Sequence, residues 1–132
     1  MPRVSRVLVR TAMLHLLLGF GLGAWMLASK SGLMATPALS LVGAHVDVVL
    51  AGWMMQLVMG VASWILPRDA DGGPNPAPAW AAWGLLNAGV VASAWGVLLP
   101  GRLLELAAVA VFALPAVPRI RSHRPRGWPS AP

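Results

Sequence analysis

Three long apolar runs without a charge, Thr11–Ser29, Val48–Leu66 and Ala79–Leu99, constrain this chain more than any other feature. A helix needs about 20 mostly apolar residues to cross the hydrocarbon core of a bilayer, where unpaired backbone amides are not tolerated. A fourth run, Leu103–Val117, is shorter and carries Glu105 and Pro115. Composition agrees: 58% of the residues are hydrophobic and 11% charged, against roughly 25% charged in an ordinary soluble domain. The expectation is an all-α integral membrane four-helix bundle, with spans over residues 8–29, 43–66, 79–99 and 103–118. Residues 1–118 then form one transmembrane domain and residues 119–132 a basic cytoplasmic tail.

The breaks between runs carry turn chemistry. "SKSGLMATPALS" separates the first two, with Pro37 and Ser40 as helix-start signals, and "PRDADGGPNPAP" is a polar Gly/Pro loop. "PGR" at Pro100–Arg102 predicts a tight turn that makes helices three and four an antiparallel hairpin. Basic residues set the orientation. With both termini inside, Arg3, Arg6, Arg10, Arg68, Arg119, Arg121, Arg124 and Arg126 are cytoplasmic, and only Lys30 and Arg102 lie outside. This predicts an N-in/C-in, multi-pass protein of a bacterial-type inner (cytoplasmic) membrane. The first run is too long for a signal-peptide core and no small-residue cleavage site clearly follows it.

The net charge of +6 does not point to nucleic acid, because the arginines flank apolar spans and lack interleaved aromatics. Anionic lipid headgroups are the expected partners. Cysteine is absent, which excludes disulfides, thiolate catalysis and cysteine metal sites.

Small residues show where helices could approach closely in lipid. Helix one carries Gly19 and Gly23 in GxxxG spacing, and helix three a ridge of Gly84, Ala88, Ala92 and Gly96. Packing within the bundle is the simpler expectation for both, self-association the other. On helix two, His45, Gly52, Gln56, Met59 and Ser63 share one face at helical spacing. Gly52 leaves a flat recess that suits a neighbouring helix or a planar cofactor. Counting from the helix ends puts His15 and His45 about 25 Å apart at 1.5 Å per residue, near opposite membrane faces. An interface histidine bonded to a backbone carbonyl is the expected role of His15. Asp47 near a helix start can be stabilised by the helix dipole and interfacial water.

"AHVDVVLAGWMMQLVMGVASWILPR" resembles the tenth helix of the heme-copper oxidase catalytic subunit, most closely its nitric oxide reductase and cbb3-type branches. That helix reads A-H-x-H, then a glycine-plus-aromatic pair, and closes with an aromatic and "LP". "LLLGFGLGAWML" looks like the preceding helix and "WAAWGLLNAGVV" like the next, so Leu14–Val117 resembles helices nine to twelve of a twelve-helix fold. In that family the first histidine ligates the high-spin heme and the second the low-spin heme. The resemblance implies His45 as a heme ligand, with Gly52, Gln56 and Met59 on the cofactor face and His15 and Asp47 as secondary candidates. Asp47 stands where the family has its second histidine.

The family's copper site needs three histidines on helices without a counterpart here, so a complete oxidase or reductase is not expected, and no catalytic residue is assigned. The resemblance implies a small membrane b-type cytochrome, holding heme b through His45 for electron transfer or diatomic gas binding. The opposite axial position is open unless Met26, Met34 or a second subunit fills it. A homo-oligomer is expected, a trimer slightly ahead of a dimer, because one chain has little surface with which to enclose a macrocycle. The alternative is a heme-free accessory or assembly subunit of a respiratory membrane complex. A small transporter ranks third, with Glu105 as its carboxylate.

Overall fold

The computed structural model describes residues 1–33, 40–66 and 75–122. Among them there are helices and turns but no strand. Helix α1 spans Arg3–Lys30. Helix α2 is continuous but changes type twice: α-helical over Ser40–Asp47, π-helical over Val48–Met55, and α-helical again over Gln56–Ile65. Helix α3 spans Ala77–Ala94 and α4 spans Leu98–Ser122. Three stretches are long and apolar enough to cross a membrane: Arg3–Lys30, Leu41–Ile65 and Leu98–Arg119.

Local chemistry explains the ends. Gly32, at φ 78°, closes α1: its amide donates to Ser29 O, and the Leu33 amide reaches back to Ala28 O. Gly96, at φ 86°, closes α3 in the same way, with Gly96 N–H on Ser93 O and Val97 N–H on Ala92 O. This is a Schellman cap, which needs a left-handed residue just past the helix. The hairpin turn therefore lies at 95–97 and not at Pro100–Arg102 as the sequence led us to expect. Pro100 falls instead in the first turn of α4, where its missing N–H has no intrahelical acceptor to lose. The third and fourth helices consequently start and end elsewhere than 79–99 and 103–118. The last runs through Pro115 and Pro118.

Polarity is turned inside out. Leu17, Phe20, Leu106 and Leu114 are each about 70% exposed, whereas Ser5, Gln56 and Asp47 are at most 1% exposed. A lipid-facing surface of this kind leaves hydrogen bonds and close approach to hold the helices together. Helices α1 and α2 run antiparallel and are tied along their length. Ser5 Oγ donates to Gly60 O (2.5 Å), Gln56 Nε2 to Leu8 O (3.4 Å) and His45 Nδ1 to Gly19 O (3.0 Å). A small apolar core of Val4, Leu8, Met59, Ala82, Leu86 and Ala108 joins all four helices. Helix α4 packs mainly on α3, where Gly89 and Gly101 let the backbones approach.

The two small-residue ridges have different fates. Gly19 and Gly23 lie against α2: a Cβ at Gly19 would stand 2.6 Å from Val49, and one at Gly23 3.1 Å from the His45 ring. The ridge on α3 does not serve the bundle. Gly84 and Ala88 are exposed, and α3 packs instead through Ala82, Leu86, Gly89, Val90 and Ser93.

Candidate functional site

Residues two apart on a helix point about 200° apart, and α2 uses this at its Ser40 end. His45 faces α1, while Asp47 faces α3 and α4.

The His45 ring lies over Gly23, and its Nδ1–H donates to Gly19 O at 3.0 Å. That bond fixes the ring and leaves the Nε2 lone pair uncommitted, the arrangement in which a metal-ligating histidine is oriented by its outer partner. His45 lines a groove of about 640 Å³ with Leu16, Phe20, Leu27, Val49 and Trp53. The lining side chains are apolar apart from the imidazole, and the Trp53 indole N–H is buried without a hydrogen-bond partner. The arrangement presents one imidazole nitrogen beside an apolar groove. Among the described residues lining the groove there is no second imidazole and no thioether. Met34, one of the thioethers considered from the sequence, lies outside the described residues.

The remaining sequence-derived site residues are placed differently. Gly52 is covered by the ring of His15: a Cβ there would stand 2.7 Å from His15 Cγ and Cδ2. The recess at Gly52 thus holds an imidazole from within the chain. Gln56 and Met59 are buried, Gln56 on the α1 backbone and Met59 in the core cluster. His15 Nδ1–H donates to Thr11 O (3.1 Å), and Thr11 Oγ1 accepts from Trp83 Nε1 (3.2 Å). Since His15 meets Gly52 and His45 meets Gly19 and Gly23, the imidazoles lie only one to two turns apart along α1. That is roughly 6–12 Å at 1.5 Å per residue, not the 25 Å obtained by counting from helix ends. The count failed because α1 continues for about four turns beyond His15, carrying that residue to mid-helix.

On the opposite side of α2, Asp47 is 1% exposed and its Oδ1 pairs with Arg102 Nη2 at 2.5 Å. Arg102 Nη1 also contacts Glu105 Oε2 at 3.1 Å, and Ser93 Oγ–H lies 3.5 Å from Glu105 Oε1. Arg102 and Glu105 stand three residues apart near a helix start, a local pair by spacing alone. The structure joins them to α2 and buries Glu105 to 9% exposure. No group of three or more His, Asp or Glu side chains able to hold a metal ion occurs among the described residues.

No known family, curated protein or solved structure matches this chain.

Proposed function

We propose that this chain is a four-span membrane protein of the bacterial inner membrane type, with both termini cytoplasmic, that holds a b-type heme through His45. The observation that carries the heme assignment is the His45 ring itself: Nδ1 bonded to the Gly19 carbonyl, Nε2 free, and an apolar groove alongside. Support for the fourth span comes from α3. Its 18 residues, about 27 Å at 1.5 Å per residue, approach the thickness of the hydrocarbon core, and it packs along the membrane-length α4. The bias of basic residues supports the orientation.

A heme bound there would supply a one-electron centre, or a coordination position for a diatomic gas. The chain's own contribution is positional. Gly19 O holds the imidazole tautomer, Gly23 gives the ring room to approach α1 with its Cε1 edge, and Phe20, Leu27, Val49 and Trp53 line the groove with apolar surface. The groove is open on one side, so a second copy of the chain is the natural cover. The exposed Gly84–Ala88 ridge on α3 offers a close-approach surface for a homodimer or trimer.

A second reading is favoured by a separate observation: His45, His15 and Asp47 each have a partner within the chain. A heme-free accessory or assembly subunit of a respiratory complex would use them only to fix helix register. The visible spectrum of detergent-purified protein separates the two. A Soret band with reducible α and β bands, lost in His45→Ala and retained in His15→Ala, is expected. A colourless protein purified from heme-replete cells overturns the cytochrome reading.

A further inference from the structure

The cluster of Asp47, Arg102 and Glu105 stands at the head of a second groove, on the face of α2 opposite His45. Helices α2 and α4 both pack on α3 but diverge from each other, and the space between them measures about 430 Å³. Its walls are Leu50, Met54, Met55, Leu106 and Val109, and Leu86 of α3 forms the floor. The Asp47–Arg102 ion pair bridges the gap.

The head of this groove is one positive charge short of balance. Asp47 and Glu105 each carry −1 and Arg102 carries +1, a formal balance of −1. Asp47 Oδ2 has no hydrogen-bond partner although the residue is only 1% exposed. Few other charged or titratable groups compete for it. Helix α3 has none. Helix α1 carries Arg3, Arg6 and Arg10 in its first turns, His15 at mid-helix and Lys30 at its exposed end. Helix α4 carries Arg119 and Arg121 near the end remote from Arg102, and His45 of α2 turns away toward Gly19. A buried carboxylate without full compensation is costly in a low-dielectric surrounding. The Arg102 side chain, half exposed at 51%, can yield its place.

We propose that this groove binds a hydrophobic organic cation, its charged centre against Asp47 and Glu105 and its apolar body against the methionine-lined walls. Thioether side chains adapt to irregular apolar shapes, and the open side gives entry from the lipid. This site is independent of heme.

The test is saturable binding of radiolabelled tetraphenylphosphonium to the full chain in neutral maltoside micelles. Asp47→Asn is expected to weaken binding at least tenfold, and Arg102→Gln, which removes the competing cation, to strengthen it severalfold. A general folding defect would weaken both, so the opposite signs identify the site. His45→Ala is expected to bind as the wild type does. Absence of saturable binding, equal affinity in Asp47→Asn, or weakening in a monodisperse Arg102→Gln protein would each overturn the proposal. So would full displacement of the probe by an equimolar amount of phosphatidylethanolamine, which would make the occupant a lipid amine.

Discussion

Replacing Gly52 with alanine tests the helix register on which both grooves depend. The added Cβ would stand 2.7 Å from His15 Cγ and Cδ2 and 3.1 Å from His15 Cβ, well inside the roughly 3.5–4.0 Å at which carbon atoms rest. His15 cannot simply rotate away, because its Nδ1–H is bonded to Thr11 O within the same helix. Overpacking of this kind costs about 1–3 kcal/mol. The better helix propensity of alanine returns roughly 0.5–1 kcal/mol, so a net loss of up to about 2.5 kcal/mol, roughly 1 at the midpoint, is expected. Gly21 is the control, since a Cβ there meets nothing within 4 Å; Gly21→Ala should be neutral or slightly stabilising. Thermal unfolding in detergent, followed by the fluorescence of the seven tryptophans, should show Gly52→Ala melting lower by about 3–5 °C per kcal/mol. Adding His15→Ala removes the obstructing ring and should recover most of the loss, with a coupling energy of about 0.5–3 kcal/mol. Equal melting of Gly52→Ala and Gly21→Ala, or no recovery in the double variant, would refute the packing of His15 on Gly52.

Topology is open to direct measurement: reporter fusions after Arg68 and at the C-terminus should both signal the cytoplasm, and an external signal at the C-terminus alone would reduce the spans to three. Native mass spectrometry of the extracted protein should give a dimer or trimer, and Gly84→Leu, placed on the exposed ridge of α3, should shift it toward monomer without lowering the melting temperature. A stable monomer with stoichiometric heme would show that one chain encloses the cofactor alone. Leu8→Ala, which empties a fully buried position between α1 and α2, should cost about 2–5 kcal/mol by the same unfolding assay.

Much of the architecture was legible because a bilayer permits few solutions. The uncharged runs Thr11–Ser29 and Val48–Leu66 fall within single helices, the second up to its cap residue Leu66, whereas Ala79–Leu99 is broken by the turn at 95–97. The Gly19–Gly23 pair did mark a close helix contact. What eluded the sequence was relational. Arg102 has Glu105 three residues away as an obvious local partner, and nothing in the chain signals that Asp47, 55 positions earlier, is its second. The π-helical stretch Val48–Met55 differs from the rest of its span in being more apolar, and apolar content gives no cue to helix type. The hairpin turn was misplaced because Pro-Gly is a strong turn signal. Here, however, Pro100 occupies a helix first turn and the less conspicuous Gly96 supplies the left-handed cap. The ridge on α3 shows the same limit. Small residues four apart mark a surface capable of close approach, but their spacing does not say whether a helix of the same chain meets it.

His45 combines two roles on two ring nitrogens, and that separation permits a decisive substitution. Its Nδ1–H ties α2 to the Gly19 carbonyl, while Nε2 is the atom proposed to hold iron. Asparagine carries an amide nitrogen bonded to Cγ, where histidine carries Nδ1, and has nothing at the position of Nε2. His45→Asn should therefore keep the interhelical tie and lose the ligand. Interhelical hydrogen bonds within membranes contribute about 0.6 kcal/mol on average and up to ~1.7, so His45→Ala should be destabilised by that order and His45→Asn by less. Heme content should fall in both variants alike. If the wild type carries heme and His45→Asn retains it in full, His45 is not the ligand and the tie to Gly19 is its whole function. If heme and stability instead fall together across the two variants, heme binding depends on the α1–α2 register and not on Nε2. Only loss of heme with stability preserved assigns the iron to this imidazole.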